Sequence, residues 1–307
     1  MRELSCFGDG AVSVAAASVS GRGALDRSLQ AATTSVYRAV LSSGKEMLVR
    51  VTWTRSAAGA AGAAVAFEDG DAASSAAAKL SSSAGSRQVL LQKKRGSRTL
   101  VTGAGTAVGV HWDTAEAKYP SGPSASPEPE RDYGLAVVAD AELALLLGAG
   151  AAARELSRRL GAAVPRGAAA LVNRREQLRG AGAAHVTRCR FREGGDEHEV
   201  AVHACKGGDG LLRVTIDGEK VAEVRRVGWG FRGNRAAVLA DGEVVDVMWD
   251  VHDWWFGGRG GAGAGAGAQF MVKARAEKEG RLWMADDTAA RGQSPCGFFL
   301  HVQCYRR

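Results

Sequence analysis

The residues best spaced for chemistry are Asp250, His252 and Asp253, within Trp249-Asp-Val-His-Asp-Trp254. A histidine between carboxylates is the raw material of acid–base catalysis: the imidazole moves a proton and a carboxylate orients it. No serine or cysteine is tied to these residues by a recognisable motif, so the group lacks a nucleophile. His198, His203 and Cys205 are metal-ligand types. On a strand His203 and Cys205 share a face that His198 does not, and the spacing fits no zinc pattern. Gly257–Gly267 repeats Gly and Ala without the Gly-Lys-Ser/Thr ending of a phosphate loop, and reads as a flexible loop. Arg232 and Arg235 would suit a phosphate or an acidic peptide, although exposed arginines at a hairpin are the plainer reading. Trp229 and Phe231 beside them are a weak form of the interleaved aromatics that a nucleic-acid surface needs. These residues predict no catalytic site, no metal and no cofactor, and nucleic acid is not the expected partner.

The elements that carry these residues occur twice. Arg95-Gly-Ser-Arg98 leads, seventeen positions on, to Trp112-Asp113; Arg232-Gly-Asn-Arg235 leads by the same spacing to Trp249-Asp250. Each Asp is followed six positions later by an aromatic, Tyr119 or Phe256. Each Trp shares its face with valines, so it should point inward as a core pillar whose N–H needs a partner. Each Asp ends its strand and can take backbone N–H groups of the next turn. In the first copy Ala115, Glu116 and Ala117 stand where the second has His252, Asp253 and Trp254. A basic fold common to both copies therefore does not require those three. They are expected at a loop, with Trp254 a partly exposed anchor.

The chain has 307 residues, enough for two domains, and carries 40 basic against 33 acidic residues. The charges are interspersed, which fits a solvated basic surface better than a dedicated polyanion site. Five cysteines without a Cys-x-x-Cys pair, and no apolar leader after Met1, favour reduced thiols and an intracellular, cytoplasmic or nuclear protein. The apolar stretch Leu135–Ala153 is broken by Asp140 and Glu142, and reads as strand, turn, strand rather than a membrane span.

Residues 1–32 read as a disordered arm. Residues 33–148 form a first β unit, 149–184 a connector with a helix at Ala149–Leu160 and a strand from Ala168, and 185–307 a second β unit containing the Gly/Ala-rich loop 257–268. Met47, Val49, Val51 and Trp53 alternate along one strand; Val200 and Val202 take the places of Val49 and Val51 in the second unit. Asp217-Gly218 marks a two-residue hairpin. Gln88–Gln92 and Thr99–Thr102 are expected to form a hairpin around Arg95–Arg98, and Ala76–Leu80 a further strand. The fold class is all-β: two tandem homologous antiparallel units of about eight strands, each a barrel or a sandwich, joined by a short helical connector.

Several motifs together resemble a plant-specific family, domain of unknown function 868. They are Ser5-Cys-Phe-Gly8, Leu143–Gly148, Leu171-Val-Asn-Arg-Arg-Glu176, Trp229-Gly-Phe-Arg-Gly-Asn234 and, most specifically, Trp249-Asp-Val-His-Asp-Trp254. The similarity runs over nearly the whole chain. Val89-Leu90-Leu91 stands where the family usually has aromatics, and Cys304-Tyr-Arg-Arg replaces the usual ending. The resemblance implies no activity, cofactor or catalytic residue. The resulting expectation is a non-enzymatic binding or adaptor module acting through residues 249–256, with Trp249, Asp250, His252, Asp253, Trp254, Arg232 and Arg235 as its candidate surface. The alternatives are a lipocalin-like carrier of a small apolar ligand and, more remotely, an enzyme of unknown class.

Overall fold

A computed structural model describes residues 25, 29–69, 87–122, 125–161, 168–180, 183–257, 267–275 and 298–306. The first eight strands are β1 (Leu29–Val40), β2 (Glu46–Ser56), β3 (Ala61–Asp69), β4 (Arg87–Leu90), β5 (Arg95–Val101), β6 (Ala107–Asp113), β7 (Tyr133–Ala139) and β8 (Glu142–Ala149); burial alternates along β2 and β6, whereas β7 is an apolar run buried on both faces. Helix α1 (Gly150–Gly161) and the long strand β9 (Ala168–Gly180) follow. Among the described residues eight more strands follow: β10 (Ala183–Cys189), β11 (His198–Cys205), β12 (Leu211–Ile216), β13 (Glu219–Val224), β14 (Arg232–Val238), β15 (Val244–Asp250), β16 (Gly267–Ala274) and β17 (Phe299–Arg306). A single helical turn, α2 (His252–Phe256), follows β15. Ala76–Leu80, residues 1–24, most of the Gly/Ala loop and Ser5–Gly8 lie outside the described residues.

The fold is all-β. Strands β5–β8 form one four-stranded sheet, and β10–β13 another. The remaining strands form a nine-stranded sheet in the order β14-β15-β16-β17-β9-β1-β2-β3-β4. Among the described residues no sheet is closed, so the barrel alternative gives way to sandwiches. The cause is β9, which takes the place beside both neighbours that closure would have needed. It pairs parallel to β17 and antiparallel to β1, and so welds half of each unit into one sheet.

The register shows where the two small sheets lie. Trp53 pairs with Thr33, Thr33 with Glu176, and Glu176 with Val302, so all four side chains point to one face. Val49, Val51 and Trp53 meet Val110, Leu135 and Val137 of the β5–β8 sheet there. Trp249, Phe270 and Val302 meet Val200, Leu212 and Val214 of the β10–β13 sheet on the same face. Two sandwiches thus stand side by side on one large sheet. Helix α1 covers the back of β7, where Gly134 leaves room for Leu156; a Cβ there would come within 2.7 Å of the leucine.

The seam between the sandwiches is polar. Glu176 is buried and receives Thr187 Oγ1 at 2.7 Å, Arg174 Nε at 2.5 Å and a bond from His185 Nε2. Arg174 also donates to Glu128 of the Pro-rich loop at 2.7 Å. Burial alone would raise the Glu176 carboxyl, but the Arg174 guanidinium and the His185 contact outweigh it and draw the group down to about 2. Leu171–Glu176, read as a motif in the sequence, is therefore the strand that joins the units.

Two further expectations change. Gln88–Gln92 and Thr99–Thr102 do not form a hairpin. β4 belongs to the nine-stranded sheet and β5 to a four-stranded one. Residues 91–94 cross between layers, because Val89 must enter the core from one sheet and Val110, beside β5, from the other. Strand β1 starts at Leu29, inside the span read as an arm, because Ala31 and Ala32 are small enough to be buried there against neighbouring strands.

Candidate functional site

The Trp-Asp segments are pillars in both sandwiches. Trp112 lies opposite Gly96 and Trp249 opposite Gly233, and each indole lies across its glycine. A Cβ would stand 2.5 Å from Trp112 Cζ2 at Gly96 and 2.3 Å from Trp249 Cζ2 at Gly233. The indole N–H donates to Lys93 O at 2.7 Å in the first copy and to Gly230 O at 2.9 Å in the second. Asp113 accepts Ala115 N at 3.0 Å and pairs with Arg95 at 2.8 Å. Asp250 accepts His252 N at 3.0 Å and pairs with Arg232 at 2.8 Å. The glycine and first arginine of each Arg-Gly-x-Arg segment thus serve the adjoining Trp and Asp.

On this shared frame the second copy adds aromatics. After Asp250 the chain makes the helical turn α2. At about 100° per residue, positions 252 and 256 face one way and 254 the other. Trp254 is accordingly 4% exposed and packs in the core, which corrects its expected role as a partly exposed anchor. The sequence places Trp254, Trp255 and Phe256 in an unbroken aromatic run, and only the helical turn sorts them. Trp255 lies across Gly210 and Gly228, while Lys206 Nζ stands 5.4 Å from the Trp254 ring and 5.6 Å from the Trp255 ring.

The outward face holds a three-ring cluster. Ring centroids are 5.2 Å apart for Phe231 and His252, 5.4 Å for Phe231 and Phe256, and 5.1 Å for His252 and Phe256. His252 Nδ1 is 2.9 Å from Asp253 Oδ1. The Arg232 guanidinium lies 5.6 Å from the Phe231 ring. Beside them, on the turn before β14, Trp229 is 91% exposed, and Phe256 is 53% exposed.

Of the residues singled out by sequence, Arg232, Asp250, His252 and Asp253 gather around this cluster, whereas Trp249 and Trp254 are core. Arg235 is exposed on β14, three residues beyond Arg232. Trp229, Phe231 and Phe256 carry the outer surface. For Trp229 and Phe231 the signal was a comparison between copies, in which Gln92 and Lys94 occupy their positions; Phe256 has the aromatic Tyr119 at its position and gave no such signal.

The histidine and cysteine trio does not converge. His198 points inward, with Nδ1 2.7 Å from Asp217 and Nε2 3.3 Å from Asp241, while His203 and Cys205 are on the opposite face of β11. Burial disfavours charge on His198, but its two carboxylate partners prevail and raise its pKa. This is a clamp linking the β12–β13 and β14–β15 turns.

Residues 28–302 match a family described as plant protein of unknown function, domain of unknown function 868. The chain belongs to this family. No curated protein and no solved structure matches it. Within this member of the family, the Trp229–Asn234 motif builds the exposed aromatic turn and the start of β14, and Trp249–Trp254 supplies the pillar and the helical turn beneath it. Among the described residues no helix is long and apolar enough to cross a membrane.

Proposed function

We propose that this chain is a non-enzymatic protein-binding module whose partner docks on Trp229 and the Phe231–His252–Phe256 face of the second sandwich. The observation that carries the reading is the exposure of Trp229, 91%, at a position filled by Gln92 in the first copy. The neighbouring hydrogen bonds are alike in the two copies, so they need no tryptophan there. A large aromatic held in water on a hydrogen-bonded frame costs solvation without adding packing. Exposed aromatics of this kind are common anchors of interfaces.

The filled cores support this reading over the carrier. Trp53, Phe270, Met47, Leu135 and Leu212 are each under 2% exposed. A cavity with room for a ligand would leave its walls accessible. A groove lined by Thr52, Thr54, Ala64 and Leu90 lies on the outward side of β2 and β3, away from either core.

The test is a comparative pull-down from plant tissue with the full chain, a Trp229→Ala/Phe256→Ala variant and a Gln92→Ala control. Truncating an interface anchor costs about 2–4 kcal/mol, so the double variant should lose a partner that the control retains. Both variants should melt near the parent temperature, since exposed substitutions stay within about 0.5 kcal/mol. Retention of every partner by the double variant would refute the reading.

A further inference from the structure

Strand β14 is an edge of the nine-stranded sheet: β15 flanks it on one side, and no described strand flanks it on the other. No described residue hydrogen-bonds to that outer edge. Along it runs a half-buried apolar strip, in which Phe231, Ala237 and Leu239 pack on the core beside Val221 and Val224 of β13. The exposed Trp229 stands at one end of the strip, and at the other Val238, 74% exposed, points to the opposite face of the sheet. Such an edge offers main-chain donors and acceptors in a row, and is the usual template for strand addition.

Charge selects the occupant. β14 contains Arg232 and Arg235 and no acidic residue. Arg232 is held by Asp250, whereas Arg235 makes no ion pair with any described residue. Strand β14 of a second copy would bring arginines against arginines without an acid, and like charges across a strand pair are destabilising. A partner with a carboxylate at that position is favoured instead. Positions 231 and 235 lie on the same side of an extended chain, roughly 13 Å apart at the usual rise per residue.

Resting on the reading of the aromatic face as a docking site, we infer that the partner supplies an extended segment that adds to β14 as a strand. Its carboxylate meets Arg235. A large apolar side chain four to six residues away meets Phe231 and Trp229. The first sandwich has the same kind of edge in β5, with Arg95 and Arg98, but has Gln92 and Lys94 where the aromatics would be. That edge should not take the segment.

The experiment is selection of phage-displayed random 12-residue peptides on the full chain. Enriched peptides should carry an acidic residue four to six positions from a large apolar one. They should bind Arg235→Glu and Trp229→Ala chains at least tenfold more weakly and Arg98→Glu unchanged. Replacing the peptide's acid with lysine should restore binding to Arg235→Glu, which a purely structural role for the arginine would not produce. Bound peptide should slow hydrogen exchange at alternate amides of β14. Peptides that need Trp229 but leave β14 amides unprotected would overturn strand addition while leaving the docking face intact. Failure to enrich any peptide would overturn strand addition. Binding to phosphatidylserine–phosphatidylcholine vesicles through Trp229, with no peptide enriched, would replace both readings by a membrane surface.

Discussion

Replacing Gly233 with alanine tests the pillar directly. The new Cβ would lie 2.3 Å from Trp249 Cζ2 and 2.9 Å from both Cε2 and Cη2. Carbon atoms rest about 3.5–4.0 Å apart, so the indole must retreat by roughly 1 Å or more. That movement strains the 2.9 Å bond from Nε1 to Gly230 O. Overpacking of this kind costs about 1–3 kcal/mol, and a buried donor left unpaired adds about 1–3 kcal/mol. The sum, about 2–6 kcal/mol, is a large share of a typical domain's stability. In a Trp249→Leu background the clash disappears, and the same glycine change should cost almost nothing. The assay is urea unfolding followed by far-ultraviolet circular dichroism for the four members of the cycle. A coupling of about 2 kcal/mol or more is expected. Equal costs in the two backgrounds, or an unaltered midpoint for Gly233→Ala, would refute the reasoning. Gly96→Ala should repeat the effect against Trp112, where the approach is 2.5 Å.

Trp254→Ala should destabilise by about 3–5 kcal/mol, as removal of a buried aromatic does, whereas Phe256→Ala should leave the urea midpoint nearly unchanged. The His198 clamp gives a pH dependence. Its folded pKa is raised above the unfolded value near 6.5, so its contribution is complete below that value and is lost as pH rises through the folded pKa. Asp217 and Asp241 are lowered, each opposed by burial but held by hydrogen bonds that include His198, so their contribution falls away at acid pH below their usual range. Stability measured from pH 6 to pH 9 should fall with a slope of at most about 1.4 kcal/mol per pH unit from the one histidine proton. His198→Met, which installs the residue found at the matching position of the first unit, Met47, should flatten that slope; an unchanged slope would show that another group titrates.

Much of the fold was written in local pattern. The alternation in Met47–Trp53, the Asp217-Gly218 turn and the Trp-Asp spacing each reflect contacts within one strand or hairpin, and these are the features sequence can display. The joining role of β9 was not legible. Its parallel partner β17 is more than a hundred residues away, and pairing at that distance leaves no trace in periodicity. The crossing at residues 91–94 has the length of a hairpin turn, so only the layer assignment of Val89 and Val110 distinguishes the two. At the site, Asp250 and Trp249 followed from their types and spacing. The burial of Trp254 and the exposure of Phe256 did not, because they depend on the hundred-degree step of a five-residue helix, and the exposure of Trp229 is set by the turn before β14.

Whether the aromatic turn of the second sandwich meets a partner can be measured by placing a photo-crosslinking phenylalanine analogue at position 229, and in a separate chain at position 92, and irradiating living plant cells. A discrete adduct is expected from position 229, lost when Phe256→Ala and Arg235→Glu are added, and none from position 92. The same adduct from both positions, or none from position 229, would contradict docking at this turn.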